Sequence, residues 1–213
     1  LGVSPFLNQM AMFLVQITLN NTLTYYGALS HYGEDIPLAC VGVISKVNIL
    51  MLGFTLGISQ GCQPIFSYNY GTRQYSRVRE AYRKAIVAAS VICCIAFVCF
   101  QLFPRPIVAL FDPSGSEEYF QFAERYFRIY MFMTLANAFQ PITANFFTSI
   151  GKAKRGALIA LTRQVIFLIP LILIFPLFLG IDGVMYAGPI ADSAAVVVAL
   201  ALVTWEMKRM PHV

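Results

Sequence analysis

Charged residues are scarce in this 213-residue chain, making up 12% of it where a soluble domain carries roughly 25%. With 58% of the residues apolar, that scarcity excludes an ordinary soluble domain and leaves an integral membrane protein. At roughly 20 apolar residues per crossing the length holds about six helices and little else. Other absences narrow the function. There is no GxxxxGK[ST], so ATP is not expected to drive anything through this chain, and no HExxH, so no enzyme is expected. His31 and His212 lie in loop or terminal positions, and the five cysteines (Cys40, Cys62, Cys93, Cys94, Cys99) sit in apolar runs without CxxC spacing. They read as reduced packing residues, and no metal or cofactor is expected. A net charge of +5 could suggest nucleic acid; the basic residues instead fall between apolar runs, where membrane topology accounts for them. The chain opens on Leu1, without a basic n-region or cleavage site, and reads as a piece of a longer protein.

What is present is organised around Gly53 to Gly71, GFTLGISQGCQPIFSYNYG. Gly53, Gly57 and Gly61 recur every four residues, so on a helix they form a smooth side where another backbone can approach. Ser59, Gln60 and Gln63 interrupt the apolar run, and after Pro64 the sequence passes into SYNYG and a run of arginines. That transition reads as an apolar helix ending at a membrane surface.

The fold expected is an all-α bundle with spans at about 2–27, 36–66, 85–103, 126–150, 157–179 and 184–203. In the first, Gln9, Phe13, Gln16 and Asn20 follow helical spacing and form a polar stripe that should avoid lipid. The second exceeds the roughly 30 Å hydrocarbon core at about 1.5 Å per residue; it carries Ser45, Asn48, Thr55, Ser59 and Gln63 on one stripe, with Lys46 one position away. Asn69 to Lys84 is expected to hold an amphipathic helix at the headgroups, with Tyr75, Val78 and Tyr82 as its apolar side. The third span, nearly featureless, should face lipid. DPSGSEE is a turn and helix start with Ser114 or Ser116 as cap. In the fourth span Asn137, Gln140, Pro141 and Asn145 share adjacent turns, and Pro141 should kink the helix because it cannot donate to the Asn137 carbonyl. Arg163, near the start of the fifth, is expected to snorkel to the headgroups or to contact SYNYG. The connections after spans two and four and the C-terminal tail hold 11 of the 15 basic residues, Arg163 included. That excess marks their side as cytoplasmic and places the start of the first span and the C-terminus inside the cell, in a multi-pass protein of the cell membrane.

Lys46 and Asp192 stand out as charges embedded at similar depth, each about ten residues, or roughly 15 Å, from the outer end of its helix. An ionised group there is costly unless paired or wet, so the two are expected to meet or to share an aqueous cavity. They would then be either a fixed staple between spans two and six or a proton- or cation-sensitive couple on a transport path. The amides Gln9, Gln16, Asn20, Asn48, Gln63, Asn137, Gln140 and Asn145 have two readings as well: interhelical glue, or the wall of a water-filled cleft in which neutral amides and aromatics such as Phe13 and Phe139 hold bulky cations.

QGCQPIFSYNYG with its basic sequel, LNNTL early and PIAD late resemble the multidrug and toxic compound extrusion (MATE) family, over essentially the whole chain. The resemblance implies the C-terminal six-helix lobe of a two-lobe transporter, with an N-terminal lobe of the same polypeptide as partner. It also implies an antiporter in which H+ or Na+ entry drives export of cationic or amphipathic toxic compounds. The first span carries no acidic residue, which favours protons over sodium and leaves Asp192 as the buried carboxylate of this lobe. A lipid-linked oligosaccharide flippase of the same superfamily, or a nontransporting membrane assembly module, are the alternatives.

Overall fold

The computed structural model describes residues 3–113 and 115–210, with the side chains of residues 3–5, 7 and 137 outside the description. Among the described residues every regular element is helical: α1 (Val3–Ala28), α2 (Asp35–Gly71), α3 (Tyr75–Leu102), α4 (Pro104–Phe111), α5 (Glu117–Tyr130), α6 (Ala136–Ser149), α7 (Ala153–Leu161), α8 (Ile169–Leu179) and α9 (Ile181–Arg209). A 3-10 turn, Met131–Met133, joins α5 to the α6 region, and a π-helix, Thr162–Leu168, joins α7 to α8. Among the described residues four helical stretches are long and apolar enough to cross a membrane: α2, α3, α9 and the continuous run Ala153–Leu179. The all-α membrane-spanning bundle expected from composition is therefore present. α1 and the α5–α6 pair fall outside that group, α1 because five amides dilute its 26 residues and the pair because the 3-10 turn divides it.

Several boundaries differ from the expected ones for local reasons. α2 does not stop at Phe66; SYNYG continues it to Gly71, and Pro64 lies inside the helix. The amphipathic segment before Lys84 is no separate helix but the first turns of α3, whose Val78 and Tyr82 are buried as its apolar side. The stretch after Pro104 forms a short helix, since proline is tolerated in a first helical turn where its missing N–H goes unused. Ser116 caps α5, its Oγ accepting from the Tyr119 N–H at 3.2 Å; Ser114 lies outside the described residues. The break in the fourth span falls at Met131–Leu135, not at Pro141, which sits within α6.

α9 holds the middle of the packing. Its buried face runs Val184, Ala187, Gly188, Ala191, Ala195, Ala199 and Val203, a series of small residues that lets α5, α6 and α8 approach closely. At Gly188 an added Cβ would stand 2.7 Å from the Tyr130 ring, and at Gly183 it would stand 2.5 Å from the Phe175 carbonyl carbon. The glycines Gly53, Gly57 and Gly61 behave differently: they are exposed and nothing approaches the Cβ position of any of them. Their smooth side is not a packing face within this chain. An aromatic layer joins α2, α3 and α6 through Phe66, Tyr82 and Phe146, with ring centroids 5.0–6.3 Å apart. The outer face of α3 is apolar and exposed at Val87, Val91, Ile95, Val98 and Leu102, as a lipid-facing helix requires.

The two ends of the bundle differ in charge chemistry. At one end Arg79 of α3 donates to the carbonyls of Met207 and Met210 at 3.2 and 2.6 Å. Lys152 and Arg155 both reach Glu206 of α9 there, and Trp205 stacks under the Arg155 and Arg209 guanidinium groups. At the other end Arg105 grips Glu117 and Arg125 pairs with Asp182 at 2.7 Å. The basic connections after α2 and α6 thus lie together with the end of α9, the arrangement that alternating crossings produce.

Candidate functional site: a buried ion pair beside a cavity

The π-helix sets the site. Pro170, near the start of α8, has no N–H for the Ile166 carbonyl, and the turn before it widens into the π form that often marks functional positions. Arg163 and Gln164 lie in that widened turn, and Gln164 is buried there. From it the Arg163 Nε donates to Oδ1 of Asp192 on α9 at 2.5 Å, with both side chains largely buried. A charge-assisted contact of this kind is strong where water is excluded, and each partner would be costly alone. Tyr130 packs against Gly188 one turn along α9 from Asp192, and its ring stacks on Tyr126, which stacks in turn on Phe122.

Next to the pair lies a cavity of about 120 Å³ bounded by α1, α2, α5, the π-helix, α8 and α9. Gln16, Ser45, Asn48, Tyr126, Tyr130, Arg163 and Gln164 are its polar lining. Tyr126 is fully buried, and its hydroxyl has no hydrogen-bond partner among the described residues.

This geometry corrects the expected charge pairing. Asp192 meets Arg163, not Lys46, and neither Asp192 nor Lys46 lines the cavity. Equal depth along two helices says nothing of azimuth. Lys46 stands about 200° around α2 from Ile44 and Asn48, both on the buried side, and is itself exposed. Arg163, for its part, does not snorkel or reach SYNYG; it turns inward.

The amides divide similarly. On α1 the buried edge is Ala11, Val15, Leu19 and Leu23, so Gln9 and Gln16 are exposed, Phe13 is 61% exposed, and Asn20 is half-buried, accepting from Gln16 at 3.0 Å. The expected inward stripe of α1 thus lies mostly on its exposed side in this chain, with Gln16 at the border of the cavity. The α2 stripe does turn inward, with Asn48, Thr55 and Ser59 buried and Ser45 and Gln63 half-buried. Asn145 donates to Ser59 Oγ at 2.7 Å and Gln140 to the Ile159 carbonyl at 3.3 Å, which makes both interhelical glue. The Asn137 side chain lies outside the described residues. Tyr126, Tyr130 and Gln164 were not anticipated. A tyrosine within the FQFAERYFRIY run resembles core packing in sequence, and only the cavity distinguishes it.

Comparison with known proteins bears on the whole arrangement. The MatE family profile matches residues 9–174. The multidrug export protein MepA of Staphylococcus aureus (strain bovine RF122 / ET3-1) is 23% identical over 95% of this chain and 43% of its own length. MepA of Staphylococcus haemolyticus (strain JCSC1435) is also 23% identical, over 95% of this chain and 42% of its own. The chain thus spans less than half the length of these relatives. Two solved structures share its fold: a MATE family transporter of the MOP superfamily in an outward-facing conformation, with a TM-score of 0.87 at 20% identity over 98% of this chain and 46% of that one; and one in an inward-facing conformation, with 0.88 at 20% over 98% and 47%. A MOP superfamily transporter from Pyrococcus furiosus, described by the reverse polarity of its binding pocket, gives 0.88 at 19% over all of this chain and 46% of that one. Because the profile takes in most of its length, the chain belongs to the MatE family of membrane transporters.

Proposed function

We propose that the chain is the C-terminal six-helix lobe of an ion-coupled exporter. In this reading α1, α2, α3, α5–α6, α7–α8 and α9 cross the cell membrane in alternation, with the Arg79, Glu206 and Trp205 end on the cytoplasmic side, where the basic connections gather. An N-terminal lobe of the same polypeptide completes a central cleft against the outward faces of α1 and α2. The cargo is small, cationic or amphipathic and toxic; entry of H+ or Na+ drives its export. Rocking of rigid lobes supports alternating access, and the near-equal fit of this chain to an outward-facing and an inward-facing relative is what such rigidity requires.

The observation that carries the reading is the outward side of the α1–α2 pair. Gln9, Phe13 and Gln16 of α1 and Lys46, Gly53, Gly57 and Gly61 of α2 are exposed at depths where hydrocarbon would surround a lipid-facing helix. Amides and an ammonium there need protein or water opposite them. In the intact transporter that face borders the cleft, and the Arg163–Asp192 pair stands behind it as the buried charge whose rearrangement couples ion entry to lobe movement. The test is dye efflux from liposomes holding the purified intact transporter, under an imposed proton or sodium gradient. Ethidium should leave faster under one gradient, and Asp192→Asn should abolish or shift the pH dependence of that efflux. No movement under either gradient rejects the export reading in favour of a nontransporting module, and an unaltered pH profile in Asp192→Asn removes the pair from coupling.

A second reading, a lipid-linked oligosaccharide flippase, is favoured by the two cations of the middle layer, Lys46 on the cleft side and Arg163 at the cavity. Anionic lipid-linked cargo would protect the transporter from heat where ethidium would not.

A further inference from the structure

We propose that the cavity beside Arg163 is a binding site for a small anionic group, a halide or a carboxylate, held chiefly by donors. The chemistry of its walls is one-sided. A guanidinium, two phenols and several amides line it, and no carboxylate does. Asp192 engages the Arg163 Nε and is not among the lining residues, so a cation entering the cavity meets a guanidinium and not the carboxylate. The wider layer has the same bias. Of the ten acidic residues, Asp192 alone belongs to the middle of the bundle, against Arg163 and Lys46. Glu34, Asp35, Asp112, Glu117, Glu118, Glu124 and Asp182 belong to one end and Glu80 and Glu206 to the other. The middle layer therefore carries one more cation than anions, with the surplus cation, Lys46, on the exposed side of α2.

Tyr126 supplies the second, independent observation. Its ring is fully buried in the stack with Phe122 and Tyr130, the residue borders the cavity, and its buried hydroxyl has no partner among the described residues. A buried hydroxyl without a partner is costly. A phenol O–H pointed at an anion is a strong donor, and anions accept from O–H and N–H groups together. About 120 Å³ accommodates a chloride or the head of a carboxylate. The inference goes beyond the export reading and does not need it, since occupancy can be read without transport.

The experiment compares the melting temperature of the purified intact transporter in detergent, at fixed ionic strength, in gluconate, chloride, bromide and acetate, for the parent protein and Tyr126→Phe. An anion that saturates the site should raise the parent midpoint by about 5 °C over gluconate, and removal of the phenol O–H should take away most of that shift. A rise with chloride and bromide identifies a free halide; a rise with acetate alone identifies a carboxylate, such as one carried by the cargo. Crystals grown in bromide give a readout independent of the variant's folding, with anomalous density expected between Tyr126 and Arg163. Equal shifts in both proteins, no shift in any salt, or bromide density only elsewhere overturns the proposal.

Discussion

Two buried carboxylates organise α9, and they are held in opposite ways. Glu206 is 2% exposed and is clamped by two cations, Lys152 and Arg155, which arrive together at the start of α7. Asp192, 8% exposed, has one cation, Arg163, which comes from a π-helix and borders a cavity. The Glu206 cluster sits at the end of the bundle, where Lys152 and Arg155 are one-third exposed and can exchange partners with water and headgroups. The Arg163–Asp192 pair sits about eleven residues, or roughly 16 Å, along α9 from its N-terminal end, with no such alternative. A carboxylate with two partners at an interface is a staple; one with a single partner next to open space can let go.

The comparison is broken most severely at the middle. Arg163→Leu leaves Asp192 uncompensated and should cost about 3–5 kcal/mol, read as a lowered melting temperature in detergent. Replacing both partners, Arg163→Met with Asp192→Leu, should recover most of that stability without recovering dye efflux. If the double variant transports as well as the parent, the pair is a staple like the other. Glu206→Gln should cost less, about 2 kcal/mol, because the freed Lys152 and Arg155 can be solvated; efflux by the folded protein should persist. Gly188→Ala sharpens the contrast from a third direction. Its Cβ would press on the Tyr130 ring at 2.7 Å, an overpacking of about 1–2 kcal/mol that should alter the pH profile of transport, where the same loss at Glu206 should not.

The smallest effect is expected at the exposed pair of the opposite end. Arg105 grips Glu117 through Nη1 and Nη2 at 3.1 and 2.6 Å, and that hydrogen bond holds the carboxyl below its usual range. Because the folded value is the lower one, the contribution is present above the ordinary carboxylate range and fades as pH falls through the lowered value. Carboxyl NMR of labelled Glu117 should therefore titrate below a free glutamate, and Arg105→Gln should bring it back.

Much of this architecture was legible in composition and spacing. Low charge and long apolar runs indicate a helical membrane bundle, SGSEE contains the α5 cap, and the α2 stripe Asn48, Thr55, Ser59 points inward as its period implies. What periodicity cannot supply is which side of a helix meets a neighbour. α1 and α2 each carry two plausible faces, amides on one and aliphatics on the other, and four-residue spacing fits both. The Gly53, Gly57, Gly61 stripe has the same spacing as the Ala187, Ala191, Ala195, Ala199 stripe, yet the first is exposed and the second is core.

The residues by themselves determined that this chain lives in a bilayer, because a backbone without water must close its hydrogen bonds in helices and too few charges are present to dissolve it. They also determined that Asp192 would need a cation, since an ionised carboxylate at that depth is not tolerated alone. Only the tertiary structure decided which one. Helix azimuth, set by the packing of small residues on α9 and by the widened turn before Pro170, brought Arg163 inward and left Lys46 outside.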